Sequence, residues 1–318
     1  MGYVVGMSSH AAGQDDLDPD AVRVRVPAKV NLALRVGPRG ADGYHPLRTV
    51  FQALSLFDEM VVTDAREGVI DLVVAGEDAD LVPTDGTDLA VRAALLLRER
   101  YGRPDLGAHI HLVKSIPVAA GLAGGSADAA GALLACSVLW DLDTDPAALS
   151  ALGGELGADV PFALLGGTAL GSGRGTELMP LLTRGRYHWA LAFAHIGLST
   201  PQVFTHFDRS GPSQLPALPD GLLQALASGD VAQVGRSLMN DLQRPALEMR
   251  GELGQTLRFG AGLDGVLGAV LSGSGPTCAF LCTDARAAKV AVDRLGQLPT
   301  VRAAVAAIGA APGAQLLG

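Results

Sequence analysis

The sequence is poor in aromatic residues: Phe, Trp and Tyr make up 4% of its 318 residues. That scarcity argues against a platform for stacked nucleic-acid bases as its main business. Basic residues are also the minority, with 24 Lys and Arg against 33 Asp and Glu and a net charge of −9. A broad basic face for nucleic acid is not expected, although a local basic pocket is compatible with this balance. Three cysteines, Cys136, Cys278 and Cys282, are too few for a disulfide scaffold and form no C-x-x-C pair, which fits a reducing compartment. Cys278 and Cys282 read as core packing. His109 and His111 share one face of a predicted strand, but no third ligand accompanies them and zinc is not expected. The Ala- and Leu-rich stretch Ala127 to Trp140 is only 14 residues long, short for a membrane span and suited to a buried helix. Met1 to Gln14 has no Lys or Arg and no long apolar core, so it is a poor signal peptide and a cytoplasmic location is expected. No Gly-Lys-Ser/Thr phosphate loop occurs in the chain, and the glycine-rich loop at 117–126 is not preceded by the G-x-G-x-x-G of a dinucleotide fold.

What is present is ample apolar material. Hydrophobic residues make up 48% and charged residues 18%, enough for a large core in one large or two ordinary domains. Residues 1–20, with Asp15, Asp16, Asp18 and Asp20, read as a flexible acidic tail. Val22 to Val26 and Ala28 to Leu34 alternate like strands on either side of Pro27, with Arg23 and Arg25 on the solvent face. Residues 54–63, 69–74 and 108–113 predict further strands, and Asp88 to Arg100 a helix capped by Thr87 or Asp88. The second part predicts helices over 127–140, 145–157 and 221–258 and from about 285, with strands at 187–196, 267–272 and 277–282. Residues 210–220, rich in Pro and Ser, read as a surface connection. Strands and helices do not alternate strictly, so the expectation is an α+β protein in two halves with a seam near 167–185. The corresponding division is 21–170 and 171–318. Gly171 to Gly175 reads either as an anion nest or as a turn.

The most informative segment is Pro117, Val118, Ala119, Ala120, Gly121, Leu122, Ala123, Gly124, Gly125 and Ser126. Small residues let backbone approach an oxyanion closely. A helix starting at Ser126 would add free N–H groups and the positive end of its dipole. Phosphate binding and a tight helix start that merely packs well are both open on these residues alone. So are a turn aspartate for Asp159 and an exposed strand lysine for Lys29.

Three segments in order change that balance. Pro27-Ala28-Lys29-Val30-Asn31, the loop Pro117 to Ser126 and the turn Leu271-Ser272-Gly273-Ser274-Gly275-Pro276-Thr277 together resemble the GHMP kinase superfamily. Within it, Gly43-Tyr44-His45-Pro46-Leu47-Arg48-Thr49, Gly157-Ala158-Asp159-Val160-Pro161-Phe162, Ser199-Thr200-Pro201-Gln202-Val203-Phe204 and Asn240-Asp241-Leu242 resemble the 4-diphosphocytidyl-2-C-methyl-D-erythritol kinases. The resemblance runs from about residue 22 to 305. Ala119, Ala120 and Ala123 stand where glycines are common, which narrows the backbone options of the loop.

The resemblance implies a two-domain GHMP kinase fold with its active site in the cleft between domains. It implies ATP-dependent phosphorylation of the 2-hydroxyl of a cytidine-diphosphate substrate in the non-mevalonate isoprenoid pathway. Asp159 would be the catalytic base and Lys29 its partner, with ATP on the loop 117–126. Tyr44 and Phe204 would flank the cytosine, His45 would bond its polar edge, and Asn31 and Thr200 would contact the methylerythritol or diphosphate. Gly273 and Ser274 would close on phosphates or substrate. Mg²⁺ is expected with ATP; Asp128 could ligate it or only complement the helix dipole. The expected partner is this small molecule, with no nucleic acid or membrane, and the chain is expected to be a monomer or weak homodimer. A catalytically silent binding module on the same fold is the alternative, motivated by the loop alanines.

Overall fold

The computed structural model describes residues 20–209 and 214–318. The expected tail, apart from residue 20, and part of the expected 210–220 connection lie outside them. The described chain runs β1 (Val22–Val36), β2 (Leu47–Asp64), β3 (Ile70–Gly76), α1 (Leu89–Tyr101), β4 (Ala108–Lys114) and α2 (Gly124–Leu139). Next come α3 (Pro146–Leu156), α4 (Val160–Leu165), β5 (Thr168–Ser172), β6 (Glu177–Pro180), β7 (His188–Phe193) and α5 (Thr200–Phe207). The remainder is α6 (Leu222–Ser228), α7 (Val231–Arg236), β8 (Met239–Asn240), α8 (Gln243–Met249), α9 (Gly251–Ala261), β9 (Val266–Leu271), β10 (Cys278–Cys282), α10 (Ala285–Leu295), β11 (Ala303–Ile308) and β12 (Gln315–Leu317).

Two sheets organise these elements. The larger orders β12-β1-β2-β4-β3, with β5 on β2, β6 on β5 and β8 on β1; the smaller orders β11-β7-β10-β9. β1 is one strand, not the two expected on either side of Pro27. Its pairing with β2 shifts register at Pro27/Ala28, where a bulge absorbs the missing N–H, and again at Asn31/Ala33, beside the cleft described below. The hairpin loop between β1 and β2 is held by Gly37 N–H to Pro46 O at 2.8 Å and Gly40 N–H to Tyr44 O at 2.7 Å.

Helix ends follow local chemistry. Asp88 caps α1 by accepting from Ala90 N–H and Val91 N–H, and Gly102 ends it at φ 62°. α2 begins at Gly124, two residues before the expected start, and Ser126 lies inside its first turn without capping it.

The expected division at 170/171 falls inside β5. The β5–β6 hairpin stays on the larger sheet through Pro180 because Ala169 to Ser172 pair with Glu177 to Pro180. We propose that the division lies at about 181–187 instead. The halves are not independent. β12 returns to pair Arg23 with Leu317, and one apolar cluster joins Val24, Leu54 and Leu133 to Tyr187, Trp189 and Leu191. Trp189 Nε1 donates to Gln52 Oε1 across the join at 3.0 Å. Burying a large side chain such as Trp189 is worth about 1.5–3 kcal/mol, and here it fastens one half to the other. No helix among the described residues is long and apolar enough to cross a membrane.

Candidate active site

A cleft of about 890 Å³ lies between the halves. Its lining draws on β1, the 37–46 hairpin loop, the start of α2, the α3–α4 junction, α5 and the 272–275 turn. Most of the residues singled out above meet there: Lys29, Asn31, Tyr44, His45, Ala119, Ala120, Gly121, Ala123, Gly124, Gly125, Ser126, Asp159, Thr200, Phe204, Gly273 and Ser274. Pro117, Val118 and Leu122 do not line it. Leu122 is 1% exposed and turned to the core, and Val118 N–H is taken by Asp78 Oδ2 at 3.1 Å.

Lys29 is at the centre. Its Nζ donates to Asn31 Oδ1 at 2.9 Å and to Gly121 O at 3.1 Å, and it lies 3.8 Å from Asp159 Oδ2. Burial lowers its pKa from the usual lysine value, and the charge of Asp159 opposes that fall. Asp159 occupies the N-cap position of α4 but makes no side-chain cap bond. Its carboxylate is therefore directed to the cleft, which separates it from a merely local turn aspartate. Pro161 in the first turn fixes where α4 begins.

The loop before α2 has carbonyls turned inward. Ala120 O accepts from Thr277 N–H, Gly121 O from Ser272 Oγ, and Leu122 O from Lys29 N–H. Ala119 to Gly121 and Ala123 to Ser126 line the cleft, and the first N–H groups of a helix such as α2 have no intrahelical partner. This arrangement suits an oxyanion. Ala119 and Ala123 adopt φ 53° and 61°, so alanine has been forced into the left-handed region that glycine occupies freely. Gly121 at φ 77° touches the 272–275 turn so closely that a Cβ would lie 2.4 Å from Ser272 O.

Asn31 spends its carboxamide on the protein. Oδ1 accepts from Lys29 and from Gly273 N–H at 3.0 Å, and Nδ2 donates to Thr49 Oγ1 at 2.8 Å. It thereby ties the two halves together at the cleft. Ser274 Oγ and Thr200 Oγ1 are 2.7 Å apart on the opposite wall.

At the other end, the His45 ring lies 5.1 Å from that of Phe204, and both of its nitrogens face protein oxygens: Nδ1 the Gly37 carbonyl at 2.9 Å, Nε2 Asp208 Oδ1 at 3.2 Å. The ring lines the cleft beside Phe204. Tyr44 is 55% exposed, with the Arg174 guanidinium 3.7 Å above its ring and Arg174 paired to Asp42. The glycine-rich 171–175 turn thus delivers a cation to the cleft mouth.

Some contributors were missed. Asn240 Nδ2 holds Leu271 O at 2.8 Å and Gly273 O at 2.7 Å, bracing the glycyl turn from beneath. Asp208 orients His45. The Asn240-Asp241-Leu242 triplet was visible as a motif but carried no role; nothing local marks Asp208. Asp128, entertained as a magnesium ligand, is 2% exposed and bonded to Lys114, away from the cleft.

The chain matches the family described as GHMP kinases N terminal domain over residues 88–167 and that described as GHMP kinases C terminal over residues 222–298. It is 50% identical over 301 residues to the 4-diphosphocytidyl-2-C-methyl-D-erythritol kinase of Cutibacterium acnes, covering 93% of this chain and 97% of that relative. It is 49% identical over 301 residues to the protein of that name from Streptomyces coelicolor, covering 93% and 99%. A crystal structure of 4-(cytidine 5'-diphospho)-2C-methyl-D-erythritol kinase superimposes with a TM-score of 0.74 at 35% identity, covering 91% of this chain and 99% of that one. Homoserine kinase from Cytophaga hutchinsonii has a TM-score of 0.75 at 18% identity, covering 95% and 99%, and shares the fold.

Proposed function

From the premise that the chain belongs to the GHMP kinases, in the family of 4-diphosphocytidyl-2-C-methyl-D-erythritol kinases, we propose how its cleft performs the reaction. The protein is an ATP-dependent kinase of isoprenoid biosynthesis. It transfers the γ-phosphoryl group of ATP to the 2-hydroxyl of 4-diphosphocytidyl-2-C-methyl-D-erythritol. The silent-module alternative is not favoured, since Lys29 and Asp159 are both present and paired.

ATP phosphates lie on the amides of the 119–125 loop and the N-terminus of α2, where fixed dipoles favour negative charge. Asp159 accepts the proton of the 2-hydroxyl as its oxygen bonds to the γ-phosphorus; the bond from that phosphorus to the bridging oxygen breaks and ADP leaves. The Lys29 ammonium keeps the neighbouring carboxylate ionised and meets the charge of the transferring group. Tyr44 and Phe204 hold the cytosine, Thr200 and Ser274 the polar portion. Ser126 and Asp159, both on the cleft, fit a Mg²⁺ ion, which needs only one or two protein oxygens beside phosphate and water. Bound there, it would neutralise β- and γ-phosphate oxygens. The cleft is complete within one chain, which supports action as a monomer or weak homodimer, and a supply of ATP and a reducing setting for three free thiols support the cytoplasm.

The observation carrying this reading is the meeting of Lys29 with Asp159 and Gly121 at one nitrogen. Purified protein incubated with this substrate, ATP and Mg²⁺ should consume ATP and yield the 2-phosphate by mass spectrometry. No turnover on it, with turnover on mevalonate or homoserine, would overturn the assignment.

A further inference from the structure

Beneath the phosphate loop lie three charged side chains that the reaction above does not use. Lys114 ends β4, Asp58 lies in β2, and Asp128 sits in the second turn of α2. Their side chains are 2%, 0% and 3% exposed. Burying charges so completely costs several kcal/mol per ion unless partners and geometry offset it. Here they do. Lys114 Nζ donates to Asp58 Oδ2 at 2.5 Å and to Asp128 Oδ2 at 2.6 Å. Asp58 Oδ1 accepts the amides of Ser115 at 2.6 Å and Ile116 at 2.8 Å. A Cβ on Gly124 would come within 3.2 Å of the ammonium. One nitrogen therefore reaches both ends of the loop: its start at residues 115 and 116 through Asp58, and α2 through Asp128.

We propose that Lys114 is a positioning residue for phosphoryl transfer, fixing the loop 117–125 against α2 so that its amides meet the phosphates of ATP. The proposal rests on the reading of that loop as the phosphate site. The loop needs such a tie. Ala119 and Ala123 hold left-handed backbone that costs about 1–2 kcal/mol each, so an untied loop would relax. Burial and, secondarily, Asp58 push the Asp128 carboxyl well up despite the pull of Lys114, and Asp128 Oδ1 has no hydrogen-bond partner among the described residues.

The test separates positioning from plain structural support. Lys114→Met alone would strand buried carboxylates, Asp58 among them, so the main variant is Lys114→Met/Asp58→Asn/Asp128→Leu, which leaves no buried charge, keeps an acceptor for the Ser115 and Ile116 amides and should retain the fold. Steady-state constants are measured for both substrates, with circular-dichroism melting alongside. The expected result is a melting temperature close to wild type, kcat/KM for ATP reduced about ten- to a hundredfold, and KM for the cytidine substrate within about twofold. A folded variant with wild-type kcat/KM for ATP, or one whose KM rises as much for the cytidine substrate as for ATP, overturns the proposal. If that variant does not fold, Asp58→Asn alone carries the same expectation and the same refutation; it keeps an acceptor for the Ser115 and Ile116 amides and loses the one for Lys114. Wild-type protein inactive on the cytidine substrate would instead overturn the functional reading.

Discussion

Replacing Gly121 with alanine tests the contact between the halves of the cleft. The residue sits at φ 77°, and an added Cβ would lie 2.4 Å from Ser272 O and 2.7 Å from Gly275 O. Both obstacles are backbone atoms and cannot rotate aside. A left-handed non-glycine residue costs about 1–2 kcal/mol, and overpacking adds about 1–3 kcal/mol. The sum, about 2–5 kcal/mol, corresponds to a fall in Tm of about 3–7 °C for a protein of this size. The chain can escape part of that cost by withdrawing the loop from the turn. Withdrawal also breaks the bonds from Lys29 Nζ and Ser272 Oγ to Gly121 O, so the loss then falls on kcat/KM for ATP. Thermal melting and steady-state kinetics together catch both outcomes. A Gly121→Ala protein with Tm within about 1 °C of wild type and kinetic constants within about twofold would refute the geometry.

Three further outcomes are expected. Ala123→Gly, which relieves φ 61° at the N-cap of α2, should raise Tm by about 1–2 °C; a fall would mean the backbone there is unstrained. Tyr44→Ala and Phe204→Ala should raise KM for the cytidine substrate by about 1–3 kcal/mol of binding each while leaving KM for ATP near wild type, and a change confined to ATP would contradict the placement. Burial lowers the Lys29 pKa, so the rate should fall on an alkaline limb that begins below 10.5, the ordinary lysine value. The stability term has the opposite sign: the unfolded chain holds this proton more firmly, so the cost of burying the ammonium is relieved as pH rises through the lowered value. A kcat profile flat to 10.5 would remove Lys29 from the chemistry.

Much of this was legible because local chemistry dictated it. Asp88 starts α1 as its cap, and the alternation of β4 appears directly in its burial. The glycine- and alanine-rich loop announced close backbone approach. What was not legible depends on partners distant in the chain. Pro27 reads as a break, yet pairing across β2 carries the strand through it with a bulge. β8 and β12 have two and three residues, too few for any periodicity, and form only because β1 offers them an edge. His45 carried the right signal for a pocket residue, but its two neighbours, Gly37 O and Asp208, come from elements that sequence spacing could not bring together. Asp128 looks like a helix-start carboxylate until Lys114 and Asp58 are placed beneath it.

The most direct test of the account is rapid-quench phosphoryl transfer by Asp159→Asn, with nucleotide affinity measured by calorimetry on the same sample. The carboxylate 3.8 Å from Lys29 is assigned the proton of the acceptor hydroxyl. Its loss should slow transfer by about a hundred- to ten-thousandfold while ATP binds within about threefold of wild type. Transfer at the normal rate would contradict the account.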